Sequence, residues 1–170
     1  MKDLIVQTGA PVLRKKAAPV TQAEFGSKAL IAIIRKMERA LAKEKFGVAI
    51  AAPQIGVSKR IFVVANKAFE TSKKNEEQPA VPNKIFINPE IMRLSKKKKD
   101  LAEGCLSVRG KYGSVSRHEK ASVRAQDSAG NYFTYQGSGL LAHIFQHEYD
   151  HLEGILYTDK TVELHDDQAI

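Results

Sequence analysis

No stretch constrains this chain more than Gln146-His147-Glu148-Tyr149-Asp150-His151. It closes a run in which Leu140, Leu141, Ile144, Phe145 and Leu152 recur at helical spacing, so the segment predicts one helix. Ser138 stands where an N-cap belongs, and Gly154 where a helix stops. Side chains four apart on a helix lie one above the other, so His147 and His151 can address a common metal ion. Glu148 sits beside the first histidine, where it can hold a water on that ion. The competing reading is a pair of solvent-facing histidines on an amphipathic helix. A metal site needs a third ligand.

Composition narrows the setting. A chain of 170 residues is expected to form one domain, residues 1–170, and is long enough to bury a core. Its 43% hydrophobic and 27% charged residues are those of a soluble globular protein, so disorder is not the default. No signal-peptide order and no bilayer-length apolar run stand in the sequence, and a single cysteine suits a reducing compartment; together they predict a cytoplasmic protein with no membrane partner. The net charge is +8, densest at Lys96-Lys97-Lys98-Lys99. That cluster favours polyanionic neighbours, although a solvated hairpin tip accounts for it as well.

Upstream, Pro11-Val12-Leu13-Arg14 and Ala18-Pro19-Val20 read as extended or turning segments wrapped on the core. From about residue 23 to 43, Leu30, Ile33, Ile34, Met37 and Leu41 mark an amphipathic core helix, capped by Thr21 with Glu24 or by Ser27. Residues 47–56 are too small-residued for a stable helix and hold Gln54 as a lone amide in apolar company. Strands are expected over residues 59–64, 84–88, 91–94, 114–117, 122–126 and 132–135, with a turn at 127–130 and a polar loop over 66–83. The order predicts an α+β fold: short antiparallel sheets around a C-terminal HExxH-bearing helix, plus an N-terminal amphipathic helix.

Several residues compete for the third ligand position. The extended zinc-protease pattern needs a histidine where Tyr157 stands, although Gly154 fits it. Glu163 is a downstream carboxylate in what reads as a fraying tail. His143 lies ~6 Å from His147 and ~12 Å from His151 along the axis, so all three cannot reach one ion. Cys105, in Glu103-Gly104-Cys105-Leu106-Ser107, is the best remaining candidate. It could instead be a nucleophile with His118 as base, but no sequence pattern ties the two.

Residues 47–54, 103–107 and 146–151, in that order, resemble the three signature motifs of peptide deformylase. That family removes the formyl group from the N-terminal formylmethionine of new polypeptides. Residues 11–20, Asn88-Pro89, Val115 and Arg117 resemble it too, so the likeness runs from about Leu4 to Asp159. The resemblance implies Cys105, His147 and His151 as metal ligands and Glu148 as the acid/base. It implies the Gln54 amide and the Leu106 backbone N–H as donors to the oxyanion, and Glu103 with Arg117 as an ion pair behind the ligands. It places the peptide along Gly47, Val48 and Ala49 as an added strand, with Leu140, His143 and Ile144 walling the methionine pocket. The implied cofactor is one Fe²⁺, replaceable by Zn²⁺, Ni²⁺ or Co²⁺. The implied partner is the nascent polypeptide N-terminus, with the ribosome reached through the basic surface and no sequence-specific nucleic acid.

The sequence also departs from the family pattern. Ala49 replaces a second glycine, His143 stands at a position where histidine is unusual, and Tyr112 occupies a loop position where a substrate-contacting arginine is common. The chain stops soon after Val162-Glu163-Leu164, so the longer ribosome-contacting helix is expected to be absent or shortened. Residues 66–83 match the family's variable insertion. Ala49 and His143 motivate an alternative from another class: a metal-binding, ribosome-associated relative that has lost deformylation. A zinc endopeptidase built on the same helix is a third reading, and Tyr157 counts against it.

Overall fold

Two helices hold one antiparallel sheet between them, and residue alternation within the strands decides which side chain meets which helix. The computed structural model describes residues 3–69 and 82–166. Helix α1 spans Lys28–Ala42, and its buried face is Leu30, Ile34, Met37, Ala40 and Leu41. Ser27 is its cap, accepting from the Leu30 N–H at 3.1 Å. The Thr21–Glu24 pair caps a separate single turn, Gln22–Glu24. The helix therefore starts later than the apolar stripe suggests, because Gly26 takes a left-handed φ of 74° between the two.

The sheet has the order β1-β2-β3-β6-β7. Its strands are β1 (Ala49–Ala51), β2 (Ile61–Val64), β3 (Lys84–Leu94), β6 (Lys120–Gln126) and β7 (Tyr132–Ser138). On the α1 side stand Ile50, Ile61, Val63 and Ile87. On the other side Ala49, Ala51, Phe62, Val64 and Phe86 meet the second helix, α2 (Leu140–Leu152), through Ala142, Phe145 and Leu152. Successive strand residues point to opposite faces, which is why the run Ile61-Phe62-Val63-Val64 is buried throughout. Phe62 stacks on Phe86 with ring centroids 4.6 Å apart, and Phe86 meets Phe145 at 5.2 Å. Where β7 runs under α2, a Cβ on Gly137 would lie 2.8 Å from the Phe145 ring, so only glycine fits that approach.

A second sheet, ordered β4-β5-β8, joins β4 (Lys98–Cys105), β5 (Val108–His118) and β8 (Leu164–Asp166). Three features differ from the sequence expectation. Residues 84–94 form one strand, not two: Asn88 takes φ 49°, and the register shifts between Ile87 and Glu90, so the strand bulges past Pro89 and continues. Lys98 and Lys99 lie within β4, opposite His118 and Arg117, and only the lysines before them belong to the turn. Residues 164–166 pair with Lys111, Tyr112 and Gly113 of β5 rather than fraying, which also puts Tyr112 in a strand and not a loop. Of the polar loop expected over 66–83, Asn66–Ala68 forms a short 3-10 turn, and residues 70–81 lie outside the described residues.

α2 begins at Gly139 (φ 56°, ψ −130°), not at a Ser138 cap; Ser138 is the last residue of β7. The helix does stop before Gly154, whose φ of 75° suits the left-handed position after a helix. A Cβ there would lie 2.7 Å from the Arg14 carbonyl oxygen, so the same glycine lets the N-terminal turn Pro11–Arg14 dock.

Candidate metal centre

α2 and the end of β4 deliver three soft or borderline donors to one point. One ligand atom each from Cys105, His147 and His151 can be chosen so that all lie within 4.8 Å of one another. Cys105 Sγ and His151 Nε2 are 3.3 Å apart. A tetrahedral ion with metal–nitrogen and metal–sulfur bonds of ordinary length separates its ligands by about 3.3–3.5 Å. The Cys105–His151 pair has that separation, and a thiol with two imidazoles is a donor set whose chemistry suits a transition metal. Glu148 adds a second sign of fit, since its Oε2 is buried without a hydrogen-bond partner in the protein. Glu163, the competing carboxylate, is not among the grouped ligands; its side chain is exposed beside His165.

Glu103 organises the groups behind these donors. It sits two residues before Cys105 on β4 and accepts hydrogen bonds from Arg117 on β5, one of them from Nη2 at 2.9 Å. Its Oε2 also lies 2.8 Å from His147 Nδ1. A carboxylate on Nδ1 fixes the proton there and leaves Nε2 with its lone pair free for a metal. Burial raises the pKa of Glu103, but the hydrogen bonds from Arg117 and His147, together with the close approach of the His143 ring, outweigh it and hold the carboxyl well below its usual range. Arg117 also donates to Asp150 Oδ2 at 2.7 Å, and Asp150 takes a second bond from Lys160 at 2.7 Å. The result is a continuous network from the surface to His147.

Titration behaviour follows the same arrangement. Burial pushes the Glu148 carboxyl up to about 7, against the pull of the His147 charge. Burial opposes charge on His147, but bonds to Cys105 and Glu103 prevail and raise its pKa well above the usual value. His151, which has no such carboxylate, is pushed well below by burial and by the charges on His147 and Arg117.

Gln54 approaches from the other side of the site. It lies on the 3-10 turn Ala52–Ile55 that follows β1, and its Oε1 accepts from the Ala51 N–H at 2.8 Å. That bond assigns the other end of the amide as donor: Nε2 is 3.5 Å from Cys105 Sγ and 3.3 Å from Ser107 Oγ. Leu106 lies between Cys105 and Ser107 in the turn joining β4 to β5, and the Ser107 N–H donates to Cys105 Sγ at 3.5 Å. The alternative cysteine partner, His118, is at the far end of the β4–β5 hairpin. It pairs with Lys98, while Cys105 pairs with Val108, and its Nδ1 is taken up by the Ser95 carbonyl at 2.5 Å.

The remaining residues separate into an edge and a helix face. β1 is the outer strand of its sheet, preceded by Gly47 and by Val48, whose carbonyl accepts from Ala65. A Cβ on Gly47 would meet Glu44 Cβ at 2.9 Å. Ala49 is buried in the cluster shared with Phe62 and Phe145. On α2, Leu140 is exposed, whereas Ile144 belongs to the core. His143 is buried with Nε2 2.8 Å from Glu103 Oε1, a close approach poorly aligned for a hydrogen bond. Neither Ala49 nor His143 disturbs the grouped ligands. The Glu103–His147 bond and the Asp150 branch had no local signal in the sequence, because they join residues on different elements.

Residues 2–167 match the family model described as polypeptide deformylase. The chain belongs to the peptide deformylase family. A peptide deformylase of Heliobacterium modesticaldum is 43% identical over 156 residues, spanning 92% of this chain and 91% of that one. Among solved structures, the class I type b peptide deformylase of Acinetobacter baumannii with Met-Ala-Ser bound matches with a TM-score of 0.80. It is 33% identical and spans 92% of this chain and 96% of its own. The same enzyme with actinonin bound matches at 0.79 and 34% identity, over 92% and 96% of the two chains. A deformylase carries a catalytic metal, in keeping with the three-donor group described above. No helix among the described residues is long and apolar enough to cross a membrane.

Proposed function

We propose that residues 1–170 act as one catalytic domain that hydrolyses the formyl group from the N-terminal formylmethionine of newly made polypeptides, releasing formate. The convergence of Cys105, His147 and His151 beside a buried, unpartnered Glu148 oxygen carries this reading. When bound, a divalent cation there acidifies water toward pKa ~7 and polarises the formyl oxygen. Glu148 takes the proton from the attacking water and returns it to the leaving amine; its carboxyl is close enough to neutrality to do both. The Gln54 Nε2 and the Leu106 N–H donate to the oxygen as it becomes an oxyanion, each contributing ~3–4 kcal/mol. Gly47, Val48 and Ala49 offer the open edge of a sheet for an extended peptide, with Leu140, His143 and Ile144 toward its first side chain. Met-Ala-Ser bound to the Acinetobacter relative supports a methionine-led peptide as the ligand class.

The proposed ion is Fe²⁺, with Zn²⁺, Ni²⁺ or Co²⁺ able to replace it. A thiolate beside two imidazoles suits all four, and a thiolate also leaves the site open to oxidation. We place the enzyme in the cytoplasm, acting on the nascent chain at the ribosome, with Lys96–Lys99 as the salt-sensitive contact. The test is formate release from a formyl-Met-Ala-Ser peptide by anaerobically purified, iron- or nickel-loaded protein, with metal content measured in parallel. Turnover that requires the metal and spares the acetylated peptide is expected. A fully metallated protein that releases no formate from several formyl-Met peptides overturns the reading.

A further inference from the structure

The segment before the first turn lies outside the three family motifs, yet it touches the site at three points. The Val6 N–H donates to the Gln54 carbonyl at 2.8 Å, and the Thr8 N–H donates to the Ser107 carbonyl at 2.7 Å. Between them, Gln7 Nε2 donates to the Leu106 carbonyl at 3.1 Å, with a longer contact to the Ile5 carbonyl at 3.4 Å. The Leu106 carbonyl and the Ser107 N–H are the two ends of one peptide unit. The N–H end donates to Cys105 Sγ at 3.5 Å. Gln7 therefore holds the far end of the same peptide group that hydrogen-bonds the sulfur.

We infer that Gln7 is a positioning residue of the metal centre, acting on Cys105 through the polarised Leu106–Ser107 peptide. A donor on the carbonyl makes the N–H at the other end a stronger donor, because hydrogen bonds in series polarise one another. A stronger N–H on the sulfur withdraws charge that the thiolate would otherwise give to the ion, so the ion keeps more of its acidity toward water. Gln7 also fixes the plane of that peptide. This in turn limits rotation of Leu106, whose own N–H is proposed as an oxyanion donor. The inference rests on the reading of Cys105 as a ligand, and goes beyond it by assigning control of that ligand to the N-terminal segment.

Gln7→Met keeps the length of the side chain and removes the donor. Ile5→Ala is the control, since Ile5 is buried in the apolar cluster that Leu106 packs against but its side chain carries no hydrogen-bond donor for the turn. Both variants and the parent are loaded with Co²⁺ anaerobically. The thiolate-to-cobalt charge-transfer band, the melting temperature, and kcat and KM on formyl-Met-Ala-Ser are then compared. Gln7→Met is expected to move the band to lower energy and to lower kcat about tenfold with KM nearly unchanged. Ile5→Ala is expected to lower the melting temperature while leaving the band in place. An unmoved band in Gln7→Met, or an equal shift in Ile5→Ala, overturns the role given to Gln7 and leaves the enzyme reading standing. Absence of any thiolate band in the parent overturns the ligand assignment itself, and this inference with it.

Discussion

α1 and α2 lie on opposite faces of the same sheet, yet they bury opposite kinds of side chain. The buried positions of α1 are all apolar: Leu30, Ile34, Met37, Ala40 and Leu41. Those of α2 include His143, Gln146, Glu148, Asp150 and His151 among Ala142, Ile144, Phe145 and Leu152. Apolar burial stabilises without further conditions, whereas each buried polar group destabilises unless something satisfies it. α1 needs only a sheet to cover it. α2 needs Glu103, Arg117 and a cation, so its sequence answers to chemistry as well as to folding.

The sharpest way to separate the two helices is to remove the one α2 carboxylate oxygen that is buried without a hydrogen-bond partner, that of Glu148. Glu148→Ala should lower kcat by about 10²–10⁴-fold, the range ascribed to a positioned acid/base. Metal content by elemental analysis and the melting temperature should stay near the parent's, since the removed oxygen has no partner to lose. Retained turnover would move the acid/base role elsewhere. Cys105→Ser should come next: the fold survives, but chelator competition should show metal held at least ~100-fold more weakly, because a hydroxyl remains protonated where the thiol gives up its proton.

Core substitutions on the two sides should then diverge. Arg117→Ala leaves Glu103 and Asp150 buried without their shared cation, at a cost of about 3–5 kcal/mol in urea unfolding of the metal-free protein. Metal affinity should fall as well, since Glu103 orients His147. Met37→Ala, under α1, should cost about 2–5 kcal/mol by cavity formation and leave metal affinity unchanged. Equal metal loss in both variants would mean that affinity tracks global stability rather than the network.

Acid should expose the same asymmetry. Glu103 is held below its unfolded pKa of about 4.3, so its contribution is complete above that value and is lost as pH falls through the lower folded value. Urea midpoints of the metal-free protein should therefore fall steadily below pH ~4.5. In Glu103→Gln the midpoint should be lower at neutral pH and the acid slope shallower. An unchanged slope would assign acid sensitivity to other carboxylates.

The contrast also explains what the sequence made readable. The His147–His151 relation is local helix geometry, so four-residue spacing and the apolar stripe were enough to expose it. The α+β class was readable for the same reason, from patterns within single elements. β4 and β8 were not, since Lys98, Lys99, Asp100 and Leu164 to Asp166 are exposed residues whose pairing partners lie elsewhere in the chain. Glu103 could be matched with Arg117 only by likeness to a family. Its bond to His147 spans 44 residues and two elements, and periodicity carries no information at that range. Ser138 failed as a cap because β7 extends through it and the turn into α2 takes a positive φ at Gly139, which the hydroxyl rule does not foresee.

The smallest expected effect tests whether α1 is as detached from the chemistry as its composition implies. Ser27 accepts from the Leu30 N–H at 3.1 Å, and no other side chain caps the helix at that end. Ser27→Ala should cost ~1 kcal/mol, and Ser27→Asp should recover most of it, because a carboxylate caps as well and favours the positive end of the helix dipole. Chelator competition and formate release should match the parent in both variants. The buried face of α1 shares one apolar cluster with Ile50 and Ile55, which stand on β1 before Gln54 and next to it on its own turn. A kcat that fell in step with stability in Ser27→Ala and returned in Ser27→Asp would show that α1 holds Gln54 in place through that contact, and that the two helices share the site after all.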